Sequence, residues 1–363
     1  MSETPNENFL QPSQTDFEKF KMLVSEHFQL DDALIEHDVP TFYLKQPQET
    51  KQAFLKLLRQ LETMGFIAFL RKSDGKLVLK IFPKPPSKPS NTRINWLLFF
   101  ATIGTTFATG YLLAEGLASI GGAIDPIIGG FMFTIAIMAI LGLHEMGHKL
   151  TANKSGIDAT PPYFIPGPPI NLGGFGTFGA VILQKSLPPN KDVLFDIGLS
   201  GPIVSFIMAV IATAIGSTMA VNAPLVEGAT SLPTPLIAIL IWRLFLNVGL
   251  IQIPSSGQLY MHPVEFAGWV GLLVTALNLL PVAMLDGGHI ARAIVGDKVR
   301  TILAMISILL LIVGGFWLMA VFILLLSMQR HPGPLDDVST LSFGRKLLAA
   351  ALVVVFVLSF PLF

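Results

Sequence analysis

The chain has no cysteine in its 363 residues. Disulfides and thiolate metal sites are therefore excluded, and a bound metal would have to rest on imidazole and carboxylate. Histidine is also sparse, with 7 residues, so few ligand sets are possible. Charge is scarce: 13% of residues are charged, and the formal net charge of +0 gives no case for nucleic-acid binding. No apolar run precedes the acidic start at Glu3, Glu7 and Asp16, so neither a signal peptide nor an Arg-rich transit peptide is expected. What the chain has instead is apolar surface. Hydrophobic residues make up 52% of it and the mean hydropathy is +0.64, the signature of an integral membrane protein.

The charge it does carry is uneven. Residues 1–92 hold 12 of the 24 basic and 12 of the 24 acidic side chains, so the first quarter reads as soluble. Residues 1–15 are polar and expected to be a disordered tail. Over 16–82, Phe17, Phe20, Val24 and Phe28 suggest a short helix, and Phe54, Leu57, Leu58, Leu61 and Met64 a firmer amphipathic one that Thr50 can cap. Phe66–Leu70 and Leu77–Phe82 flank Ser73-Asp74-Gly75-Lys76, a hairpin signal, and Thr41–Leu44 supplies another strand. The segment is read as a small soluble α+β regulatory domain, followed over 83–92 by a Pro-rich basic linker. The rest, 93–363, is expected to be a transmembrane domain with apolar runs near 94–117, 127–150, 193–221, 263–284, 301–327 and 346–362. Gly314-Gly315 can break the fifth of these.

At the end of the second run stands His144-Glu145-Met146-Gly147-His148. Histidines four apart on a helix differ by about 40° around its axis, so both can bind one Zn²⁺. Glu145 on the flank can then act as general base toward a zinc-bound water. A chance match is the bland alternative. Two imidazoles and a carboxylate in lipid without a task argue against it.

Between the second and third runs, residues 161–184 are rich in Pro and Gly yet apolar, which fits a re-entrant hairpin lining a cavity. Its edge can pair with an extended substrate; a packed surface hairpin is the other reading. A catalytic zinc needs a third protein ligand. The candidate is Asp286, read as closing the 263–284 helix within Asn278-Leu279-Leu280-Pro281-Val282-Ala283-Met284-Leu285-Asp286-Gly287. By itself that Asp-Gly-Gly could also be a helix end running into a turn.

Taken together, His144-Glu145-x-x-His148 and Asn278-x-x-Pro281-x-x-x-x-Asp286-Gly287 make the chain resemble the site-2 protease family of intramembrane zinc metalloproteases over about 127–290. The surrounding sequence looks closest to the EGY-type branch of plastids, cyanobacteria and some archaea. The resemblance implies a membrane all-α fold, a polytopic transmembrane helix bundle with a re-entrant hairpin, preceded by the soluble α+β domain. It implies one Zn²⁺ per chain on His144, His148 and Asp286, with Glu145 as base. Asn278, read as two turns before Asp286 on nearly the same face, would steady the oxyanion or the substrate backbone. The expected partners are the lipid bilayer and a membrane-anchored protein substrate, cut within or near its transmembrane helix. Ser205 departs from the Asn of many relatives.

The basic residues Lys84, Lys88, Arg93, Lys149, Lys154, Lys185 and Lys191 put the N-terminal domain and the active-site opening on the cytoplasmic or stromal-equivalent side. For Asp286 to reach the histidines from the same side, the amphipathic segment 235–252 must not cross the bilayer. Two other classes stay open. A zinc peptidase of the HtpX or CAAX-processing type would need a downstream glutamate, Glu227 or Glu265, as ligand; a non-catalytic metal-binding scaffold would not need the intact Glu145. His289 reads as a ligand-supporting, capping or interface residue, His262 and Glu265 as a helix start, and Asp196 as a buried partner for a basic residue or an interfacial one.

Overall fold

The structure is a computed structural model and describes residues 14–86, 91–224, 226, 232–254, 257–282, 285–315, 317–327 and 332–362. The chain divides into two compact units. One comprises Met1–Lys88, Leu187–Leu194 and Pro332–Ser342, the other Pro89–Ser186, Phe195–His331 and Phe343–Phe363.

The first unit contains α1 (Gln14–His27), β1 (Leu30–Glu36), β2 (Val39–Leu44), α2 (Lys51–Thr63), β3 (Phe66–Ser73) and β4 (Lys76–Pro83). The strands form an antiparallel sheet of order β1-β2-β4-β3. Alternation puts Ala68, Leu70, Leu77, Leu79 and Ile81 on one face, packed against Phe20, Val24, Phe54, Leu57 and Leu61 of the helices. The β3–β4 turn is tight because Asp74 and Gly75 both take positive φ, 49° and 79°. Three details differ from the sequence reading. Gln14 already belongs to α1, and residues 1–13 lie outside the described residues. Thr50 precedes α2 without a side-chain capping bond. The strand β1 was not anticipated, since Asp31 and Asp32 mask its alternation.

The unit also takes in chain from far beyond residue 82. As a sheet edge, β3 has main-chain groups that need partners. Leu70 N–H donates to Leu335 O at 2.9 Å, Asp337 N–H donates back to Leu70 O at 3.2 Å, and the Arg71 guanidinium donates to Leu335 O at 2.7 Å. Leu335 and Asp336 donate in turn to Pro188 O and Pro189 O. Leu335 is buried in the core, with Leu187 and Val338 packed on it, and Lys51 pairs with Asp192 at 3.0 Å. The compact unit is thus not the contiguous stretch 16–82, because the edge of its sheet is completed by two later segments.

The second unit is helical. Its α3 (Thr92–Ser119), α4 (Pro126–Lys154) and α5 (Lys191–Ser217) are long and apolar enough to cross a membrane. Asp125 starts α4 by accepting from the N–H groups of Ile127 and Ile128, with Pro126 at the first position. Helices α3 and α4 touch where Gly110 faces Gly130 and Phe133, and where Gly129 faces Ala114; these glycines let the two backbones approach. Between α4 and α5 lies an antiparallel hairpin, β5 (Tyr163–Pro166) with β6 (Thr177–Val181). It is tied to α3 at two levels. Asn95 Nδ2 donates to Pro161 O and Pro162 O, and Thr105 Oγ1 donates to Gly176 O at 2.6 Å.

After α5 come β7 (Val221–Ala223), β8 (Thr234–Pro235), α6 (Leu236–Asn247), β9 (Gln258–Tyr260), α7 (Pro263–Asn278), α8 (Asp286–Val313), α9 (Trp317–Ser327), α10 (Phe343–Ser359) and β10 (Pro361–Leu362). The pairing of β7 with β9 returns the chain to its starting level, so the excursion through α6 begins and ends at one end of the bundle. At 12 residues α6 is about 18 Å long, short of the roughly 30 Å hydrocarbon core.

Two expected runs are divided. The run 263–284 stops at Asn278, because Pro281 has no N–H and clashes with the preceding turn; Asp286 therefore opens α8 and does not close α7. Gly287 is essential to that reversal, since a side chain there would strike the Leu279 carbonyl. The run 301–327 breaks at Gly314-Gly315, where Gly315 takes φ 78°. Helix α8 is itself interrupted at Gly296, with φ 78°.

Candidate metal centre

His144, Glu145 and His148 lie on α4 and are all buried, at 4%, 7% and 5% exposure, which leaves little water to satisfy their polar atoms. Asp286 reaches them from the first turn of α8. Its Oδ2 lies 3.2 Å from His144 Nε2 and its Oδ1 lies 3.2 Å from His148 Nε2. The two imidazole Nε2 atoms face each other at 3.0 Å. Among the described residues this is the one group of three or more such ligands able to hold a metal ion.

The backs of the rings decide what the fronts can do. His148 Nδ1 stands 2.7 Å from Ile197 O of α5, and a carbonyl only accepts, so Nδ1 carries the proton and Nε2 keeps its lone pair. His144 Nδ1 stands 3.1 Å from Ser205 Oγ, also on α5. The Nε2 lone pair of His148, the Nε2 of His144 and a carboxylate thus converge on one point, and Asp286 Oδ2 is buried without a hydrogen bond. Lone pairs so arranged repel one another unless a cation lies among them. Ligand atoms about 2.0–2.1 Å from a tetrahedral zinc sit roughly 3.3 Å apart, close to the spacings found here. The donor set therefore fits a zinc ion with one open position.

The packing that sets this geometry is close. Gly201 of α5 lies against the His148 ring, Gly147 of α4 lies against Ser200 O, and Gly198 lies against Asp286 O and His289 Cβ. Glu145 Oε1 is 3.8 Å from His144 Nε2, beside the cluster, and the Ile182 amide just after β6 bonds to its carboxylate. Asn278 Nδ2 comes within 3.4 Å of His144 Nε2. All five expected site residues are therefore together. Asn278 and Asp286, however, face the cluster from the two sides of a chain reversal and do not share a helix face.

The remaining ionisable residues lie elsewhere. Glu265 is buried away from the cluster, accepting from Ser217 Oγ at 2.9 Å and from Trp242 Nε1, so it is no third ligand; Glu227 is outside the described residues. His262 caps α7 by accepting from Val264 N–H. Asp196 pairs with Arg345 of α10. His289, in the first turns of α8, lies with its Cβ against Gly198 of α5. Sequence reasoning missed Ile197, Thr275 and Ile182. Two of these act through the main chain, which carries no sequence signal, and Thr275 has no motif around it.

A buried His–His–Asp cluster with a flanking glutamate, its histidines on a helix long enough to span a bilayer, defines a membrane-embedded metal-site protein of the H-E-x-x-H class. The chain belongs to peptidase family M50, whose family model matches residues 132–320 and covers every residue of the cluster. The resemblance to site-2 proteases is borne out. Among curated relatives it is 29% identical over 235 residues to "Probable zinc metalloprotease EGY1, chloroplastic" of Arabidopsis thaliana, covering 61% of this chain and 41% of that one. It is 26% identical over 318 residues to "Probable zinc metalloprotease EGY2, chloroplastic" of Oryza sativa subsp. indica, covering 80% and 55%. It is 32% identical over 232 residues to the EGY1 protein of Oryza sativa subsp. japonica, covering 61% and 38%. The chain thus spans about half the length of these relatives or less. No solved structure matches it.

Proposed function

We propose that this chain is an intramembrane zinc metalloprotease that hydrolyses a peptide bond within or near the transmembrane helix of a membrane-anchored protein. The observation that carries the reading is the convergence of His144 Nε2, His148 Nε2 and the Asp286 carboxylate beside Glu145. His144, His148 and Asp286 would hold the zinc, which when bound acidifies a water and polarises the scissile carbonyl. Glu145 accepts the proton of the attacking water on its carboxylate and returns it to the leaving amine. The Asn278 amide donates to the substrate oxygen as charge develops there.

A transmembrane helix hides its backbone in its own hydrogen bonds, so it must unwind to be cut. The β5–β6 hairpin, held to α3 and ending at Glu145, offers a strand edge on which an unwound segment can lie. In this reading the hairpin is re-entrant, and its irregular backbone is sheltered by protein. The N-terminal α+β unit contains no ligand of the cluster and would serve regulation or recruitment. Both it and the opening to the site would face the cytoplasm or stromal equivalent, where the basic residues lie. The test is reconstitution with zinc and a panel of single-span substrates. Cleavage by wild type and none by Glu145→Gln supports the reading, and cleavage by both refutes it.

A further inference from the structure

We propose that Ser205 and Thr275 form a hydroxyl relay whose direction holds His144 in the tautomer able to bind metal. The inference rests on the zinc reading above. Ser205, on α5, and Thr275, on α7, are buried at 1% and 0% exposure, so their protons must go to protein acceptors. Thr275 Oγ1 donates to Gly271 O at 2.8 Å. A hydroxyl has one proton, so its contact with Ser205 Oγ at 2.9 Å is one in which Thr275 accepts. Ser205 thereby gives up its own proton, to Thr275 Oγ1 or to Pro202 O at 3.2 Å, neither of which has a proton to return, and its lone pairs turn to His144 Nδ1 at 3.1 Å.

The chain of donation runs His144 Nδ1–H to Ser205, Ser205 to Thr275, and Thr275 to the Gly271 carbonyl. Its terminus is fixed, because a carbonyl cannot donate. The competing arrangement has Ser205 donating to His144 Nδ1, which moves the ring proton to Nε2. That proton would sit between the two histidines, 3.0 Å apart, and block the ligand lone pair. His148 is held in its tautomer by the main-chain carbonyl of Ile197; His144 has only this side-chain relay. The two hydroxyls also join α4, α5 and α7 at the depth of the cluster. Ser205 and Thr275 are positioning residues: they act on the metal through His144.

The test measures zinc affinity of the purified full-length protein in detergent, by competition with a chromophoric chelator, alongside the thermal stability of the metal-free form. Ser205→Ala is expected to weaken zinc binding about 10- to 100-fold. Thr275→Val, which keeps shape but removes the terminal hydroxyl, is expected to weaken it less, and Thr275→Ser is expected to restore it. Because Thr275 acts through Ser205, the double variant Ser205→Ala/Thr275→Val should bind no worse than Ser205→Ala alone. Unchanged affinity in Ser205→Ala, or a double variant as weak as the product of the two single effects, overturns the relay. Failure of the wild type to bind zinc would instead overturn the reading of the cluster on which the relay rests.

Discussion

Gly201 of α5 lies so close to the imidazole of His148 that a Cβ at this position would stand 2.5 Å from Cε1 and 2.7 Å from Cδ2. Alanine is a better helix former than glycine by about 1 kcal/mol, so Gly201→Ala should not weaken α5 itself. Its effect falls on the ligand. The variant is expected to keep its helical content while losing zinc affinity by at least about tenfold, as for other disturbances around a metal ligand. Equilibrium dialysis against zinc, with circular dichroism as control, checks this; wild-type affinity would show that the α4–α5 contact does not set the His148 position.

The sheet edge of the N-terminal unit makes a second prediction. Leu335, Asp336 and Pro188 continue the hydrogen bonding of β3, and Leu335 is buried among Phe20, Leu58 and Leu70 in the core of that unit. Removal of residues 14–86 would strip this later chain of its partners. A truncated protein is expected to be cut by added protease within 332–342 under conditions in which the full chain is not. Equal resistance at that segment would mean that it holds its conformation without the sheet.

The path of the chain between α5 and α7 makes a third. The β7–β9 ladder pairs Val221 with Tyr260 and Ala223 with Gln258, so the segments on either side of α6 lie side by side. Val226, before α6, and Ile253, after it, are exposed, at 38% and 75%. The chain has no cysteine, so Val226→Cys and Ile253→Cys can each be labelled without background. Both are expected to react with an impermeant maleimide from the same side of sealed vesicles. Reaction from opposite sides would mean that α6 crosses.

How far the sequence could be read depended on whether a signal was local. His144 and His148 are four apart on one helix, and helix periodicity alone brings them together. The amphipathic α2 and the Asp74-Gly75 turn were legible for the same reason. Asp286 was found from the need for a third ligand, with resemblance in support, but set at the wrong end of a helix: hydropathy runs smoothly through Leu279–Leu285 and hides the break. Pro281 followed by Gly287-Gly288 was the available sign of a reversal. Leu335, Pro188 and Asp192 belong to the N-terminal unit through contacts more than 100 residues away in sequence, and no local pattern records that. Ile197 holds His148 through a carbonyl that any residue would supply.

The central claim is that Glu145 does the proton chemistry while His144, His148 and Asp286 hold the metal. Its most direct measurement takes the purified chain and its Glu145→Gln variant, determines bound zinc by elemental analysis, and follows cleavage of a single-span substrate in proteoliposomes. The account predicts about one zinc per chain in both proteins, with turnover in the variant lower by at least about 10²-fold, at the low end of what a positioned general base supplies. Full turnover by the zinc-loaded variant would contradict it.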